Sequence, residues 1–288
     1  MTEQFQSIFR PGLYQGKTAI VSGGGSGIGR CIAHELAHLG AHVVLTSRTE
    51  EKLEAVRSEI EADGGNASTF TCNIRKEEEV RALMQHTAEE RGGIHFLVNN
   101  AGGQFMSPPE AISMKGWNAV IETNLTGTFS MCKAAHDAWM GKNGGTIVNI
   151  VANFRNGMPL MAHTSAARAG VANLTKSLSL SWAHKGIRIN SVAPGIIASS
   201  GLNNYPPHII AMLKEMKTNI PAKRLGTESE VSSVVSYLLS PAAAFVCGET
   251  VRMDGGEALY RQMAPVYEHD RSEPFDGFHR KPNLPDGM

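Results

Sequence analysis

The feature that most constrains the fold is a regular alternation of short β-branched segments with longer amphipathic ones. Residues 17–23 (KTAIVSG) predict a buried strand, residues 41–47 (AHVVLTS) predict a second, and a helical pattern lies between them. The alternation continues to residues 250–256 (TVRMDGG), the seventh predicted strand. Strands that alternate with crossover helices run parallel and carry helices on both faces. The sequence therefore predicts a single α/β domain of the Rossmann type, with a doubly wound, seven-stranded parallel sheet.

Composition narrows the possible partners. The 27 basic and 27 acidic residues balance, which gives no footprint for nucleic acid or for an acidic membrane surface. No apolar run approaches the length of a membrane span, and the first residues (MTEQFQSIFRPG) lack the layout of a secretion signal. Four scattered cysteines without a local histidine cluster are typical of reduced thiols. We expect a cytoplasmic protein that binds neither nucleic acid nor membrane nor metal.

The chain divides into a main domain over residues 1–260 and a proline-rich tail over residues 261–288. Four prolines among charged residues would by themselves indicate disorder in this tail. The tail also carries Tyr267, Phe275 and Phe278. Because such side chains favour burial, we expect an extended arm that packs on its own or a neighbouring subunit.

A glycine-rich segment, VSGGGSGIGR (residues 21–30), directly follows the first predicted strand and opens a helix. Gly23 permits a tight turn, while Gly27 and Gly29 let the backbone approach a pyrophosphate. The first turn of the helix offers that anion N–H groups and a favourable dipole. A glycine-rich turn without a ligand is the alternative. We predict a dinucleotide site whose turn also includes Ser22, Ser26 and Ile28.

The end of the second strand bears on the choice of nicotinamide cofactor. An Asp or Glu at this place usually holds a ribose 2′-hydroxyl, but the chain has Ser47 and Arg48 there, with no carboxylate before Glu50. A guanidinium binds phosphate oxygens in a fork, which suits a 2′-phosphate. The alternative is an arginine that only meets solvent at a strand end. We predict NADP(H) as the cofactor.

Four segments carry a resemblance to a known family: SGGGSGIG (22–29), NNAGG (99–103), NLTGTF (124–129) and NSVAPG (190–195). At their spacing, the chain resembles the short-chain dehydrogenase/reductase superfamily over about residues 14–260. The segments FLVNNAGGQFMSP, AARAGVANLTKSLSL and IPAKRLG make it most similar, within that superfamily, to peroxisomal trans-2-enoyl-CoA reductases and 2,4-dienoyl-CoA reductases.

The resemblance implies further cofactor contacts. By similarity, Asn100, Ala101 and Gly102 border the adenine-ribose side of the site. Asn73, with Ile74 beside it, stands where the family often has an aspartate near the adenine. Contacts to the nicotinamide carboxamide are implied for the segment after the sixth strand, at Pro194, Gly195, Ile197 and Ser199.

The resemblance also implies a homotetramer and the place of the substrate. The last strand and the helix over about residues 163–184 are expected in the subunit contacts. The apolar insert at about residues 198–220 is expected to cover the substrate, although its Met and Ile stripe is equally consistent with core packing.

The proton-handling residues depart from the family. Its usual set is a serine, a tyrosine, a lysine and an asparagine, of which only Asn124 remains. Thr164 and Arg168 stand at the tyrosine and lysine places, four apart on one helix face. A threonine hydroxyl is too weak an acid to replace tyrosine, and arginine anchors a ribose without relaying protons. The serine place falls within Val151 and Ala152.

These departures leave three possible functions open. Reduction of a C=C bond conjugated to a thioester places negative charge on the thioester oxygen, which needs hydrogen-bond donors more than a strong acid. Candidate donors are Asn124, Asn153, Thr164, Gln104 and Arg168. The alternatives are an NADP(H)-binding pseudoenzyme or partner subunit, and a carbonyl reductase whose acid has moved elsewhere. We expect reduction of a 2-enoyl-CoA or 2,4-dienoyl-CoA.

The acid and the CoA site are less defined. Ala172 stands where enoyl and dienoyl reductases typically have an acid, and Lys176 keeps the partner place. Tyr205 and His163 are alternative acids, although a histidine at a helix start is more often structural. The cations that could meet CoA phosphates, each also interpretable as a surface charge, are Arg155, Lys223 and Arg224.

Overall fold

The computed structural model describes residues 4–259 and 266–286 of the chain. At its centre, seven strands run parallel in the order β3-β2-β1-β4-β5-β6-β9. The strands are β1 (Thr18–Ser22), β2 (His42–Ser47), β3 (Asn66–Thr71), β4 (Phe96–Asn99), β5 (Gly145–Ile150), β6 (Ile187–Pro194) and β9 (Thr250–Met253). The predicted doubly wound, seven-stranded parallel sheet is confirmed.

Helices cover both faces of the sheet and bury an apolar cluster on each side. They are α1 (Gly27–His38), α2 (Glu50–Ala62), α3 (Glu77–Arg91), α4 (Met114–Ile121), α5 (Gly127–Ala135), the single turn α6 (Gly141–Asn143), α7 (Ala162–Trp182), α8 (Pro207–Met216) and α9 (Glu228–Leu239). The strand order reverses between β1 and β4. A crevice forms at such a reversal, at the carboxyl ends of the strands, and this is where ligands bind in open α/β sheets.

Two wider π-helical turns, Glu122–Thr126 and His136–Met140, interrupt the helical stretch that runs from α4 through α5 to α6. Such turns displace one residue from the ordinary helical register and recur at functional sites. Asn124 lies in the first of them and is fully buried.

A buried polar network ties the central strands to α7. The side chain of Asn99 in β4 donates to Asn149 in β5 at 2.8 Å, and Asn149 donates to Thr175 in α7 at 2.9 Å. The Thr175 hydroxyl in turn lies 2.7 Å from the hydroxyl of Ser191 in β6. Since buried polar groups are costly unless paired, this chain of bonds fixes α7 over the strands whose ends carry the site.

The insert after β6 forms its own small core. β7 (Ile197–Ala198) pairs with β8 (Gly226–Thr227), and α8 lies in the chain between them. Four buried side chains hold this core together: Leu202, Ile210, Ile220 and Leu225.

The tail runs over the surface of its own chain through residues 266–286. The ring of Phe278, 1% exposed, packs beside Phe5 and Cys31. Arg280 forms an ion pair with Asp63 at the end of α2 at 2.7 Å. Residues 261–265 and 287–288 of the expected arm lie outside the described residues. Within the described ranges, no helix is long and apolar enough to cross a membrane.

Candidate active site

A large cleft of about 730 Å³ opens at the carboxyl ends of the central strands. Seventeen of the predicted site residues line it: Gly23, Ser26, Gly27, Ile28, Ser47, Arg48, Asn73, Ile74, Asn100, Ala101, Gly102, Asn153, Arg168, Pro194, Gly195, Ile197 and Ser199. Four others do not: Ser22, Gly29, Asn124 and Thr164. The second group lies behind the cleft surface.

The glycine turn depends on missing side chains. Gly23 and Gly27 have φ angles of +68° and +56°, which L side chains rarely adopt. A Cβ on Gly29 would lie 2.3 Å from the carbonyl oxygen of Gly23, so α1 begins tightly against the turn. Ser26, the N-cap of α1, makes no side-chain capping bond. The first N–H groups of the helix therefore face the cleft without a side-chain acceptor.

Ser22 supports the turn from behind. Its hydroxyl accepts hydrogen bonds from the backbone N–H groups of Asn100 and Ala101, at 3.1 and 3.0 Å. The Asn100 amide donates in the opposite direction, to the carbonyl of Ser22 at 3.1 Å. These bonds lock the end of β4 to the end of β1, so both segments present fixed backbone to the cleft.

Two arginines stand at the end of the cleft formed by β2 and β3. Arg48 is exposed and has no ion-pair partner within the part of the chain that the structure describes. Arg75 lines the same end and forms an ion pair with Glu122. Sequence reasoning missed Arg75, although its place two residues after Asn73 was a usable signal. Together they make this end of the cleft suited to an anion.

Arg168 is the buried cation of the site. It is 8% exposed, and its Nη1 donates to the carbonyl of Ile150 at 2.8 Å. Its Nε has no hydrogen-bond partner, and no carboxylate among the described residues pairs with it. Burial lowers the pKa of its guanidinium to about 10, so it remains charged at neutral pH. A Cβ on Gly102 would lie 2.4 Å from its Nη2 and 2.7 Å from Oδ1 of Asn124, so a side chain there would displace one or both of these groups.

Asn124 fixes the loop in front of this arginine. Its amide donates to the carbonyl of Gly103 at 2.7 Å and to that of Val120 at 2.9 Å. Its oxygen accepts from the N–H of Gly103 at 3.3 Å. The side chain therefore holds the loop after β4 to the π-helical turn, and its amide hydrogens are already used by backbone carbonyls.

Thr164 lies away from the cleft surface. Its side chain is fully buried, and its hydroxyl is 3.3 Å from Nδ1 of His163. His163 is also fully buried, packs edge-on against Phe105, and has its pKa lowered by burial. Neither residue lines the cleft, unlike Arg168 one turn further along α7. Thr164 and Arg168 lie one turn apart on α7, as expected. The threonine side chain is too short to reach the cleft surface, whereas the guanidinium of Arg168 reaches it.

Asn153, a candidate donor to substrate oxygen, lines the cleft and contacts two carboxylates. Its amide donates to Asp254 at 3.1 Å and to Glu257 at 3.4 Å. Both amide hydrogens are therefore directed at carboxylates. Glu257 itself lines the cleft, and burial and the charge of Asp254 raise its pKa. Sequence reasoning did not identify Glu257, because no motif marks a residue so far along the chain from Asn153.

The other half of the cleft is apolar. The side-chain amide of Gln104 donates to the hydroxyl of Tyr205 at 2.6 Å across it. Val151 and Ala152, at the serine place, also line it. The remaining walls come largely from α8 and the loop before α7, with Met106, Met158, Leu160, Met161, Leu202, Ile209, Met212, Leu213 and Met216. Unbranched, polarizable methionines adapt to ligands of irregular shape.

Two cations expected near the CoA phosphates are already bound within the chain. Arg224 pairs with Glu230 at 2.6 Å and donates to the carbonyl of Ser272 in the arm at 3.1 Å. Lys223 contacts Glu268 in the arm at 2.7 Å. Neither lines the cleft. Arg155 is exposed and also lies outside the cleft lining. Ala172 is buried in α7, and Lys176 points to solvent.

A buried carboxyl lies beneath the glycine turn. Oε1 of Glu228, the first residue of α9, is 3.8 Å from the place that a Cβ on Gly27 would occupy. This oxygen has no hydrogen-bond partner among the described residues. Burial raises the pKa of Glu228 to about 7; Arg30 opposes the shift and Asp276 adds to it. The carboxyl of Glu228 therefore changes its charge near neutral pH, next to the turn where an anion is expected.

We predict that Glu228→Gln makes the free energy of unfolding less dependent on pH. The pKa of Glu228 is about 7 in the folded state and 4.5 ordinarily, so the folded state binds this proton more tightly than the unfolded state. This contribution to the free energy of unfolding is fully present below pH 4.5 and is lost as the pH rises through 7. The difference corresponds to about 3 kcal/mol at most. Urea unfolding at pH 5 and pH 8.5 measures it. Glu51→Gln, an exposed control in α2, should retain the wild-type pH dependence, and identical behaviour of both variants would contradict the assignment.

The cleft fits a nicotinamide dinucleotide on its own geometry. The tight glycine turn leaves helical N–H groups open to a pyrophosphate. Arg48 and Arg75 offer cations at one end, and the unpaired guanidinium of Arg168 offers one at the other.

Comparison with known proteins agrees with this geometry. The family described as "Enoyl-(Acyl carrier protein) reductase" matches residues 23–257. A Bacillus subtilis protein named "Probable 2,4-dienoyl-CoA reductase, (2E)-enoyl-CoA-producing" is 36% identical over 247 residues, 84% of this chain and 97% of that protein. The rat "Peroxisomal 2,4-dienoyl-CoA reductase, (3E)-enoyl-CoA-producing" is 35% identical over 257 residues, 88% of this chain and 87% of that protein.

A solved structure extends the likeness to the fold. AtuB of Pseudomonas aeruginosa, described as a citronellol catabolism dehydrogenase, is 49% identical and superposes with a TM-score of 0.80, covering 88% of this chain and 100% of that one. The sheet order, the glycine turn and these matches lead to one conclusion: the chain belongs to the short-chain dehydrogenase/reductase superfamily of oxidoreductases.

Proposed function

We propose that this protein reduces a C=C bond conjugated to a thioester, in a 2-enoyl-CoA or 2,4-dienoyl-CoA, with NADPH as the reductant. The observation that carries the proposal is Arg168: a buried, charged side chain without a carboxylate, at the place where a carbonyl reductase would have its lysine. A fixed cation stabilises an enolate oxygen, but it does not protonate an alkoxide. The names of the dienoyl-CoA reductases that the chain is similar to support the same substrate class.

Different residues would bind the cofactor, stabilise the developing charge and contact the acyl chain. NADPH, when bound, supplies hydride to Cβ of the acyl group. The glycine turn and the first N–H groups of α1 would hold its pyrophosphate. Arg168 would anchor the nicotinamide ribose and stabilise the negative charge that develops on the thioester oxygen. Asn124 keeps Gly102 and Gly103 in place against that arginine, and the methionine-rich walls would pack against the acyl chain.

A second function is favoured by one observation. The AtuB structure, 49% identical, is described as a dehydrogenase of citronellol catabolism, which is consistent with a small apolar alcohol as substrate. The apolar half of the cleft would accept such a molecule. Against it, alcohol oxidation needs a base that takes the hydroxyl proton, and Thr164 lies behind the cleft surface. We therefore place thioester reduction first.

A substrate panel separates these functions. Absorbance of NADPH at 340 nm should fall with trans-2-enoyl-CoA or 2,4-dienoyl-CoA substrates and remain constant with simple ketones and 3-ketoacyl thioesters. NADP+ reduction by apolar alcohols, with no thioester turnover, would instead support the second function. Binding of NADPH without turnover of any substrate would identify a pseudoenzyme.

We infer that NADPH is preferred to NADH because two arginines border the end of the cleft where a 2′-phosphate would lie. Arg48 is free to meet an anion, whereas Arg75 is held by Glu122. Arg48→Asp should reverse the preference, since it replaces the cation with the carboxylate that suits a 2′-hydroxyl. The ratio of the two dissociation constants, from fluorescence titration, should change by about 100-fold, or about 3 kcal/mol. Arg57→Asp, a control on α2 outside the cleft, should leave the ratio unaltered, and an unaltered ratio in Arg48→Asp would refute the inference.

We further propose a homotetramer. β9 is an edge strand of the sheet, and two large apolar side chains stand exposed, Leu180 on α7 at 86% and Phe245 after α9. Exposed apolar surface of this kind is typical of an interface. Light scattering of the purified protein should give four chains per particle, and a monomeric mass would exclude the assembly.

A further inference from the structure

The cleft contains an acid that the usual proton-donor positions do not supply. Tyrosine is absent from its family place at Thr164, and Ala172 replaces the alternative acid. Along the described lining of the cleft, the carboxyl and phenol groups are those of Glu257 and Tyr205. We propose that Glu257 is the general acid that delivers a proton to Cα of the substrate, an inference that rests on the proposed function.

The position of Glu257 is set by the turn that follows β9. Asp254 accepts the backbone N–H groups of Gly256 and Ala258, both at 3.0 Å, and so closes the turn that presents Glu257. The carboxyl of Glu257 is then free of the turn and meets a single described donor, the amide of Asn153 at 3.4 Å. Asp254 therefore closes the turn, whereas Glu257 lines the cleft.

Gly195 opens the path from this carboxyl to the cleft. A Cβ on Gly195 would lie 3.4 Å from Oε2 of Glu257 and 2.9 Å from Cα of Asp254. A side chain there would collide with Asp254 and press against the carboxyl of Glu257. Because Gly195 follows β6 and lines the same cleft, the acid is presented beside the segment expected to meet the nicotinamide.

The surroundings favour the protonated form of Glu257. Burial raises the pKa of Glu257, the hydrogen bond from Asn153 opposes this, and the negative charge of Asp254 adds to it. The charged groups on its own segment are Asp254 and, through an ion pair with it at 3.5 Å, Arg252 of β9. The loop after β5 contributes the neutral Asn153, and β6 ends in Gly195 without a side chain. A partly buried carboxylic acid with a raised pKa is suited to general acid catalysis near neutral pH.

The balance of the step is simple. Hydride from NADPH forms the C–H bond at Cβ, and the C=C electron pair moves to the enolate, so NADPH is oxidised and the acyl chain is reduced by two electrons. The enolate electrons then form the C–H bond at Cα while the O–H bond of Glu257 breaks. Water that enters the open cleft returns a proton to the Glu257 carboxylate.

The test compares wild type with Glu257→Gln, Glu257→Asp and the exposed control Glu249→Gln, using an enoyl-CoA that the wild type reduces. Glu257→Gln should lower kcat about 100-fold and remove the fall of kcat at alkaline pH. Its dissociation constant for NADPH, from fluorescence, should stay within about twofold of wild type, since the residue is placed toward the acyl group. Glu249→Gln should match wild type throughout.

The stereochemistry of protonation tests the role directly. In D2O, wild type should place deuterium on one face of Cα, whereas Glu257→Gln should give both faces because water then protonates the enolate. Glu257→Asp should keep the single-face label and part of the rate. Wild-type rate, pH profile and single-face labelling in Glu257→Gln would overturn the proposal. If the Gln variant fails to bind NADPH, an unchanged alkaline limb in Glu257→Asp overturns it and a shifted limb supports it. Absence of thioester reduction by the wild type would instead refute the proposed function.

Discussion

A guanidinium buried without a carboxylate is the constraint on which the rest of the site depends. Removing a charge from water is costly unless other groups replace the solvent, and Arg168 receives only the carbonyl of Ile150 from the described chain. The surrounding residues are adapted to it: Gly102 has no side chain to collide with it, and Asn124 fixes the adjoining loop. No carboxylate of the described chain balances this charge, so an anionic ligand suits the pocket better than a neutral alcohol does.

The division between apolar and polar walls follows from the topology. The strand ends bring backbone, glycines and arginines to one side, whereas the insert after β6 brings methionines and leucines to the other. The polar side suits a dinucleotide and the apolar side suits an apolar ligand, so the order of the segments along the chain separates two kinds of ligand contact. The acid proposed at Glu257 lies at the boundary between them, beside Gly195.

The sequence predicted the parts of the molecule that depend on local pattern. Strand alternation and the glycine turn depend on residues close together in the sequence, so the sheet was predicted correctly. Most residues of the predicted turn line the cleft, and Ser22 and Gly29 lie just behind it. Helical periodicity placed Thr164 and Arg168 on one face but did not give the depth that each side chain reaches. The contact between Asn153 and Glu257 joins residues 104 apart, so only the folded sheet shows that the amide holds an acid. Likewise, Lys223 and Arg224 could be recognised as arm contacts only once the path of the arm was known.

The arm is hydrogen-bonded to the insert that forms much of the apolar half of the cleft. Its end accepts hydrogen bonds from the insert, from Asn203 to the carbonyl of Asn283 at 2.7 Å and from Lys214 to that of Asp286. Further back it is bound to the start of α9 and to the end of α2, through Phe275 and Arg280. Segments linked in this way open together as one cooperative unit, at a free energy below that of global unfolding. Opening of α8 and release of the arm therefore become one event, so access to the apolar half of the cleft depends on contacts made by residues 266–286.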